Sequence, residues 1–377
     1  MPSFWPVEKT FNSQIHMPLT LDDLRRFTVA RNFPKPTTLG RALRQMGFVQ
    51  ADPIRAPARA QDLILRHRVK SYHAGDLERR YTSLDIEEDF FVNYGYVTRS
   101  LQMLMHPRSN WPLPTDQKKK ARLLLDFVTE RGHVHPREVD EHFAGGKVTN
   151  YWGGSSNATT HLLDAMHYTG LLRIVRREKG IRIYAAHKHA PVPSGAAERR
   201  ARIDALVDVV VRIYAPLPGP GLSYYVRRLQ WAAPQWKKEL PAALARAKQR
   251  LSHARVENVD WYWPADENAE GHATQEVVRI LAPFDPVVHD RDRFELLWNW
   301  TYRFEAYTPV AKRKLGYYAM PLLWRDRVIG WANLSIKDKA LDFSLGFIDG
   351  SSPSDRKFKR ELEAELDRVR EFLNLRT

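Results

Sequence analysis

Cysteine is absent from this 377-residue chain. That excludes a disulfide framework, a thiolate nucleophile, an iron–sulfur cluster and a cysteine zinc site, and it is compatible with a reducing interior. No apolar run approaches the roughly 20 residues that a membrane span needs, so no membrane partner is expected. The stretch from Met1 to Pro18 lacks the charged-then-apolar order of a signal segment, and a cytoplasmic, nucleoid-associated location is the expectation. There is neither a GxGxxG run nor a Walker phosphate loop, and no cofactor is expected. His133 and His135 stand two apart, as do His187 and His189. Neither pair has a ligand set of zinc spacing nearby, so ordinary surface histidines and no metal are expected.

What the chain does have is positive charge. Fifty-nine Lys and Arg stand against 44 Asp and Glu, a net charge of +15 with an isoelectric point near 9.9. Arginine accounts for most of it and is spread along the chain. This footprint favours an anionic partner, nucleic acid ahead of a membrane surface. RNA is the weaker candidate, because no aromatic-rich platform for single strands is visible.

The pattern divides the chain into an N-terminal extension (1–18), three helical units (19–110, 111–190 and 191–270), a strand-rich segment (271–350) and a terminal helix (351–377). In the first unit Thr20 with Asp23 opens a helix carrying Leu21, Leu24 and Phe27, and Thr38 opens a second that Gly47 stops. A third is expected from Pro57 to Arg66. The second unit has the clearest order: helices over about 116–131, 136–143 and 158–168, the last capped by Ser155, Ser156 and Asn157, then strands 171–177 and 181–186 around Lys179-Gly180. Three helices and a hairpin are the order of a winged helix. The third unit repeats it with helices from Ala196 to Tyr214, from Ser223, and from Pro241, then strands over 253–259 and 261–263. Five strands, 277–281, 302–308, 317–324, 327–336 and 341–347, predict a small barrel. Trp298, Trp300, Trp324 and Trp331 are expected to fill its core. The fold class is thus α+β, mainly α: tandem winged-helix units, a C-terminal β-barrel and a terminal helix.

One short segment points to chemistry. Phe48-Val49-Gln50-Ala51-Asp52 sets an amide and a carboxylate two residues apart, on one side of an extended strand. Arg55, Arg59, Arg66, His67 and Arg68 follow. Asp52 before Pro53 also fits a simple turn cap. A carboxylate within a basic surface is nevertheless a poor choice for mere phosphate binding. Tyr94 and Asn93 are placed near this site. The remaining DNA contacts are assigned to Arg176, Arg177 and Lys179 on the wing, and to Lys312, Arg313 and Lys314 between two strand-like runs.

The run Gly47 to Asp52 resembles the catalytic motif of the AlkZ/YcaQ family of bacterial DNA glycosylases, in which Gln is followed by an apolar residue and then Asp or Gln. Ala282-Pro283-Phe284-Asp285-Pro286 through Asp290-Arg291 is similar to a second family stretch, and Tyr307 to Tyr318 to a third, in the family's order. Ala51 is smaller than the usual Val or Ile, which with Pro53-Ile54-Arg55-Ala56-Pro57 marks a side branch. The resemblance implies tandem winged helices with a small barrel, a basic channel around double-stranded DNA, and excision of bulky alkylated purines, in some members from interstrand crosslinks. It implies Gln50 and Asp52 as catalytic residues and a DNA-probing hairpin around Lys312-Arg313-Lys314. A cationic alkylated purine is already a good leaving group. Asp52 can then stabilise the positive sugar and deprotonate water, and Gln50 can hold that water or the sugar-phosphate. No lysine lies beside the pair, so a Schiff-base lyase step is not suggested. A monomeric, monofunctional glycosylase is the expectation, and a non-catalytic winged-helix regulator is the alternative.

Overall fold

The computed structural model describes residues 18–108, 115–143, 147–149, 155–191 and 195–375. The N-terminal extension and the side chains proposed to cap the helix at Ala158 lie outside them. No helix among the described residues is long and apolar enough to cross a membrane.

The first helix, Leu21–Asn32, opens on a capping box: the Thr20 hydroxyl accepts from the Asp23 amide, and the Asp23 carboxylate takes the Thr20 N–H. The second, Leu39–Met46, stops at Gly47, whose φ of +70° suits a residue without a Cβ. The strand Phe48–Gln50 follows directly. Its alternation divides two cores. Phe48 joins Phe27, Phe91 and Val207, whereas Val49 joins Leu63, Ile64 and Ile280. The strand pairs antiparallel with Tyr94–Thr98, Gln50 opposite Gly95, and Tyr94–Thr98 pairs in turn with Ile86–Phe90. At Gly95 a Cβ would lie 2.3 Å from the Val49 carbonyl oxygen and 2.9 Å from Gln50 Cα, so glycine permits the approach that seats Gln50.

This connectivity recurs. After helix Ala196–Tyr214, the short strand Leu217–Pro218 pairs with Val259–Trp263, the second strand of a hairpin begun by Ser252–Val256. In the middle unit, Val134 follows helix Thr115–Arg131 and bridges Tyr184 on the returning strand of the hairpin Leu172–Glu178 and Ile181–Ala186. A small ladder, Lys147–Thr149 with Ser155–Asn157, precedes that unit's third helix, Ala158–Thr169, and was not foreseen. Among the described residues, only this unit keeps a core to itself, around Leu124, Val128, Leu163, Met166 and Ile174.

Two expectations are corrected. The helix expected over 57–66 begins at Ala60 and ends at Leu65, because residues 56–58 bend and Arg59, at the N-cap, has an extended backbone. The C-terminal sheet has four strands, not five: Val278–Ile280, Met320–Trp324, Arg327–Lys337 and Ala340–Phe347, in sequential antiparallel order, giving a curled half-barrel. Residues 302–308 form no strand. The Glu305 carboxylate instead accepts the backbone amides of Lys314 and Leu315 at 2.9 and 2.8 Å and that of Gly316 at 3.3 Å, closing a loop by a side chain in place of a ladder. Trp298 and Trp324 are buried, and Trp300 stacks on Trp331. Helix Arg356–Phe372 packs on the first strand through Phe358, Leu366, Val369 and Phe372.

The units are tied by buried charge. Glu87, Glu88 and Asp89 lie on the central hairpin with at most 2% of their surface exposed. Arg173 and Arg99 meet Glu87, Arg177 grips Glu88 with both arms, and Arg108 and His106 meet Asp89 at 2.9 and 2.8 Å. Burial alone would raise the Asp89 carboxyl, but Arg108 and His106 hold it well below the usual carboxylate range. Replacing one partner of such a buried pair strands the other. Asp89→Asn should therefore cost about 3–5 kcal/mol of unfolding free energy. Glu178→Gln, at the exposed pair with Arg176, should cost within about 0.5 kcal/mol. Urea denaturation of both variants checks this, and equal losses would show that the acidic run does not tie the units.

Candidate active site

Gln50 ends its strand, and the ladder continues one step as the Ala51 amide donates to the Tyr94 carbonyl at 3.0 Å. The chain then turns. Asp52 accepts from the Ile54 amide at 2.9 Å, an Asx turn of the kind Asp-Pro favours. The turn reading of Asp52 is thus correct, but it uses a single carboxylate oxygen, and the other has no partner among the described residues. Asp52 is half-buried, and its pKa is raised by burial, opposed only by that Ile54 bond. No arginine contributes. Its field is instead felt by the phenols of Tyr307 and Tyr318 on the Glu305 loop. The Tyr318 hydroxyl is buried and has no hydrogen-bond partner among the described residues.

The expected basic surround of Asp52 has largely turned away. Arg66 is 4% exposed and pairs with Glu365 at 2.6 Å. Arg68 pairs with the fully buried Asp285 at 2.7 Å, and the His67 ring meets the Ile280 carbonyl. Arg59 is held by Glu78 at 2.7 Å. Arg66, His67 and Arg68 fasten the first unit to the C-terminal segment and helix, whereas Arg59 is held within the first unit, and Arg66 has little side-chain surface to offer a phosphate. Arg177 is likewise committed to Glu88. Of the cations proposed to meet DNA, Arg55, Lys179, Lys312 and Lys314 are exposed; Arg176 is exposed but paired with Glu178. Arg313 lies over the Tyr317 ring and donates to the Thr308 carbonyl. Lys312 ends a short 3-10 turn, Val310–Lys312, so the three cations sit on a loop and not at the tip of paired strands. Tyr307 and Val310 on that loop are 79% and 76% exposed.

Two clefts are lined by neighbours of the motif, although neither Gln50 nor Asp52 lines them. One, of about 680 Å³, runs past Arg55, Tyr317, Tyr318, Asn333, Ile336 and Phe343. The other, of about 870 Å³, is lined by Tyr224, Arg227, His289, Asp290 and Arg291. Between them lies a group that sequence reasoning only partly found. Asn93, in the bend between the central strands, donates to Gln50 Oε1 at 3.0 Å and faces His289 Nε2 at 3.0 Å. Arg228 on helix Gly219–Ala232 donates to Asn93 Oδ1 at 2.7 Å and to the Val92 carbonyl at 2.8 Å. His289 Nδ1 meets the Tyr225 hydroxyl at 2.7 Å. Asn93 was placed near the site. His289, Arg228 and Tyr225 were not, because they come from segments some 130 to 240 residues away along the chain. The only available signal was His289 within Ala282–Arg291, where Asp285 caps Pro286–His289 and Asp290 caps Arg291–Trp298.

The three motif segments therefore meet at one place: Gln50 and Asp52 from the first, His289 from the second, Tyr307 and Tyr318 from the third. The arrangement offers a carboxylate with one oxygen unengaged among the described residues, an amide and exposed cations near open clefts. The model of the family described as DNA glycosylase AlkZ-like matches residues 43–372, and the chain belongs to that family. A solved structure, the Streptomyces sahachiroi DNA glycosylase AlkZ, is similar in fold, with a TM-score of 0.61 at 14% identity over 94% of this chain and 97% of that one.

One consequence concerns pH. Burial, with Arg291, Arg228 and Arg293 nearby, pushes the His289 imidazole down to about 3. His289 is among the residues lining the larger cleft, and both ring nitrogens are hydrogen-bonded within the protein. The ring is neutral in the folded protein, while the unfolded chain binds a proton below about pH 6.5. Stability should therefore fall as pH drops from about 6.5 toward 3, by up to about 1.4 kcal/mol per unit for this group, and be unaffected by it above that window. Melting curves of wild type and His289→Gln between pH 4.5 and 7.5 check this; parallel profiles would contradict it.

Proposed function

We propose that this protein is a monofunctional DNA glycosylase that hydrolyses the N-glycosidic bond of alkylated, cationic purines in duplex DNA. The observation that carries the reading is Asp52: a half-buried carboxylate with a raised pKa, one oxygen engaged by the chain and the other without a partner among the described residues, two positions from Gln50. A structural turn cap needs no free, more basic oxygen, whereas a general base does.

In the reaction, water attacks C1′ as the bond to the purine nitrogen breaks. The bonding pair leaves with the base and neutralises its positive charge. Asp52 stabilises the developing positive sugar and takes the proton from water. An abasic site and a free purine result. Family resemblance supports the assignment to DNA, and unhooking of crosslinks extends it to adducts joining two strands. The repeated order of helix, short strand, helices and hairpin supports reading the units as winged helices. Arg55, Lys179, Lys312 and Lys314, the proposed cations with exposed side chains, would contact backbone phosphates, and the loop around Lys312-Arg313-Lys314 would reach the minor groove.

The test is base release from duplex DNA containing N7-methylguanine or a nitrogen-mustard crosslink. Wild type should release the base. Asp52→Asn should lower kcat by about 10²–10⁴-fold with DNA affinity retained, and Gln50→Ala should reduce turnover less. No release from either substrate, with tight binding of undamaged DNA and affinity kept or improved in Asp52→Asn, would instead identify a non-catalytic DNA-binding regulator.

A further inference from the structure

Asn93 makes polar contacts in three directions, and together they fix which way it and its neighbours point. Its Oδ1 lies 2.7 Å from Arg228 Nη2, and its Nδ2 lies 3.0 Å from both Gln50 Oε1 and His289 Nε2. A guanidinium has donors only, so the atom facing Arg228 must be oxygen, and the Asn93 amide cannot be turned round. Its amino group then needs acceptors at both remaining contacts. Gln50 must present Oε1 to it, which directs the Gln50 amino group away, where it meets no other described residue. His289 must accept at Nε2 and carry its proton on Nδ1, from which it donates to the Tyr225 oxygen at 2.7 Å. A protonated ring would set hydrogen against hydrogen at Asn93. The enclosure of His289 among Arg228, Arg291 and Arg293 favours the neutral ring for a separate reason.

We propose that Asn93 is a positioning residue, held by Arg228, that fixes Gln50 as a hydrogen-bond donor toward the DNA, so that Gln50 holds an anionic backbone oxygen and leaves the nucleophilic water to Asp52. An amino group bonded to a water lone pair would withdraw the electrons that the water needs for attack. A phosphate oxygen, which only accepts, is the complementary ligand. The two motif residues thus have separate tasks, and Asn93 sets the division. The inference rests on the glycosylase reading and assigns tasks within that same site.

Replacing Asn93 by Asp and by Ala separates this role from a structural one. Asp keeps the shape and strengthens the pair with Arg228, so a merely structural Asn93 would tolerate Asp better than Ala. A positioning Asn93 predicts the reverse. Asp only accepts, so it turns Gln50 round and presents its carbonyl oxygen to the phosphate, whereas Ala leaves Gln50 free to rotate. The expected loss in kcat/KM for base release is about 30-fold for Asn93→Asp and about 5-fold for Asn93→Ala, with more of it in KM than in kcat. In a Gln50→Ala background both should fall to within about 2-fold of that parent. An undiminished Asn93→Asp loss there would reveal a simple charge effect and overturn the proposal, as would a larger loss for Ala than for Asp. Nitrogen NMR of His289, assigned with His289→Gln, should show a neutral ring protonated at Nδ1 near pH 7; a proton on Nε2 would also overturn it. DNA affinity is measured in the same samples. If wild type releases no base, the glycosylase reading fails, while the same cycle read in Kd still decides the orientation of Gln50.

Discussion

Three consecutive carboxylates, Glu87, Glu88 and Asp89, hold this molecule in its working shape. They lie on a strand buried on both faces, where charged side chains are tolerated only with close partners. Arg173 and Arg177 come from the hairpin of the second unit, Arg108 from the linker before it. Asp89 also takes His106, and the imidazole of His167 meets the Glu88 carbonyl. The central hairpin, the element that carries Asn93 at its bend, is thereby welded to the second unit on one side. On the other it forms the ladder that seats Gln50. Position of the second unit and position of the amide are consequences of one charged strand.

The candidate site also depends on a division of apolar surface. Phe48 and Val49 feed different cores, one shared with helix Ala196–Tyr214 and one with the C-terminal sheet. Gln50 and Asp52 emerge where those two bodies of packing part. Side chains from both sides can therefore reach the motif: Arg228 and Tyr225 from the third unit, Tyr307 and Tyr318 from the loop closed by Glu305. A motif at the seam of two cores is rigid yet near clefts, which suits a group that must be held accurately beside a polymeric substrate.

Charge is the property most easily misread in such a chain. The net excess of +15 is real, but many of the arginines that lie near the motif in sequence are spent within the protein. Arg66 on Glu365 and Arg68 on Asp285 join the first unit to distant segments, and Arg59 on Glu78 is spent within that unit. Arg246 and Arg250 do the same between two helices of the third unit through Asp204 and Asp208. Buried guanidinium groups require acceptors, and for Arg66 and Arg68 these are carboxylates from far along the chain. The electrostatic surface near the motif is left to Arg55 and to the loop lysines.

Local rules in the sequence determined a good deal. Capping at Thr20 and the stop at Gly47 give the first two helices, and Lys179-Gly180 places a hairpin turn correctly, because each depends on residues within one turn of the backbone. The helix Ala196–Tyr214 and the order of the second unit follow from hydrophobic periodicity in the same way. The motif was legible as an amide and a carboxylate two apart, but the strand expected to carry both ends at Gln50, and Asp52 lies in the turn that follows. Tertiary structure alone decided the rest. It decided that residues 302–308 close around Glu305 instead of pairing, because a buried carboxylate satisfying three amides replaces a ladder. It decided which arginines are free, and it brought Asn93, Arg228, His289 and Tyr225 to Gln50. Hydrogen-bond direction within that group is set by the contact of Arg228 with Asn93, 135 residues apart, and no local pattern encodes it.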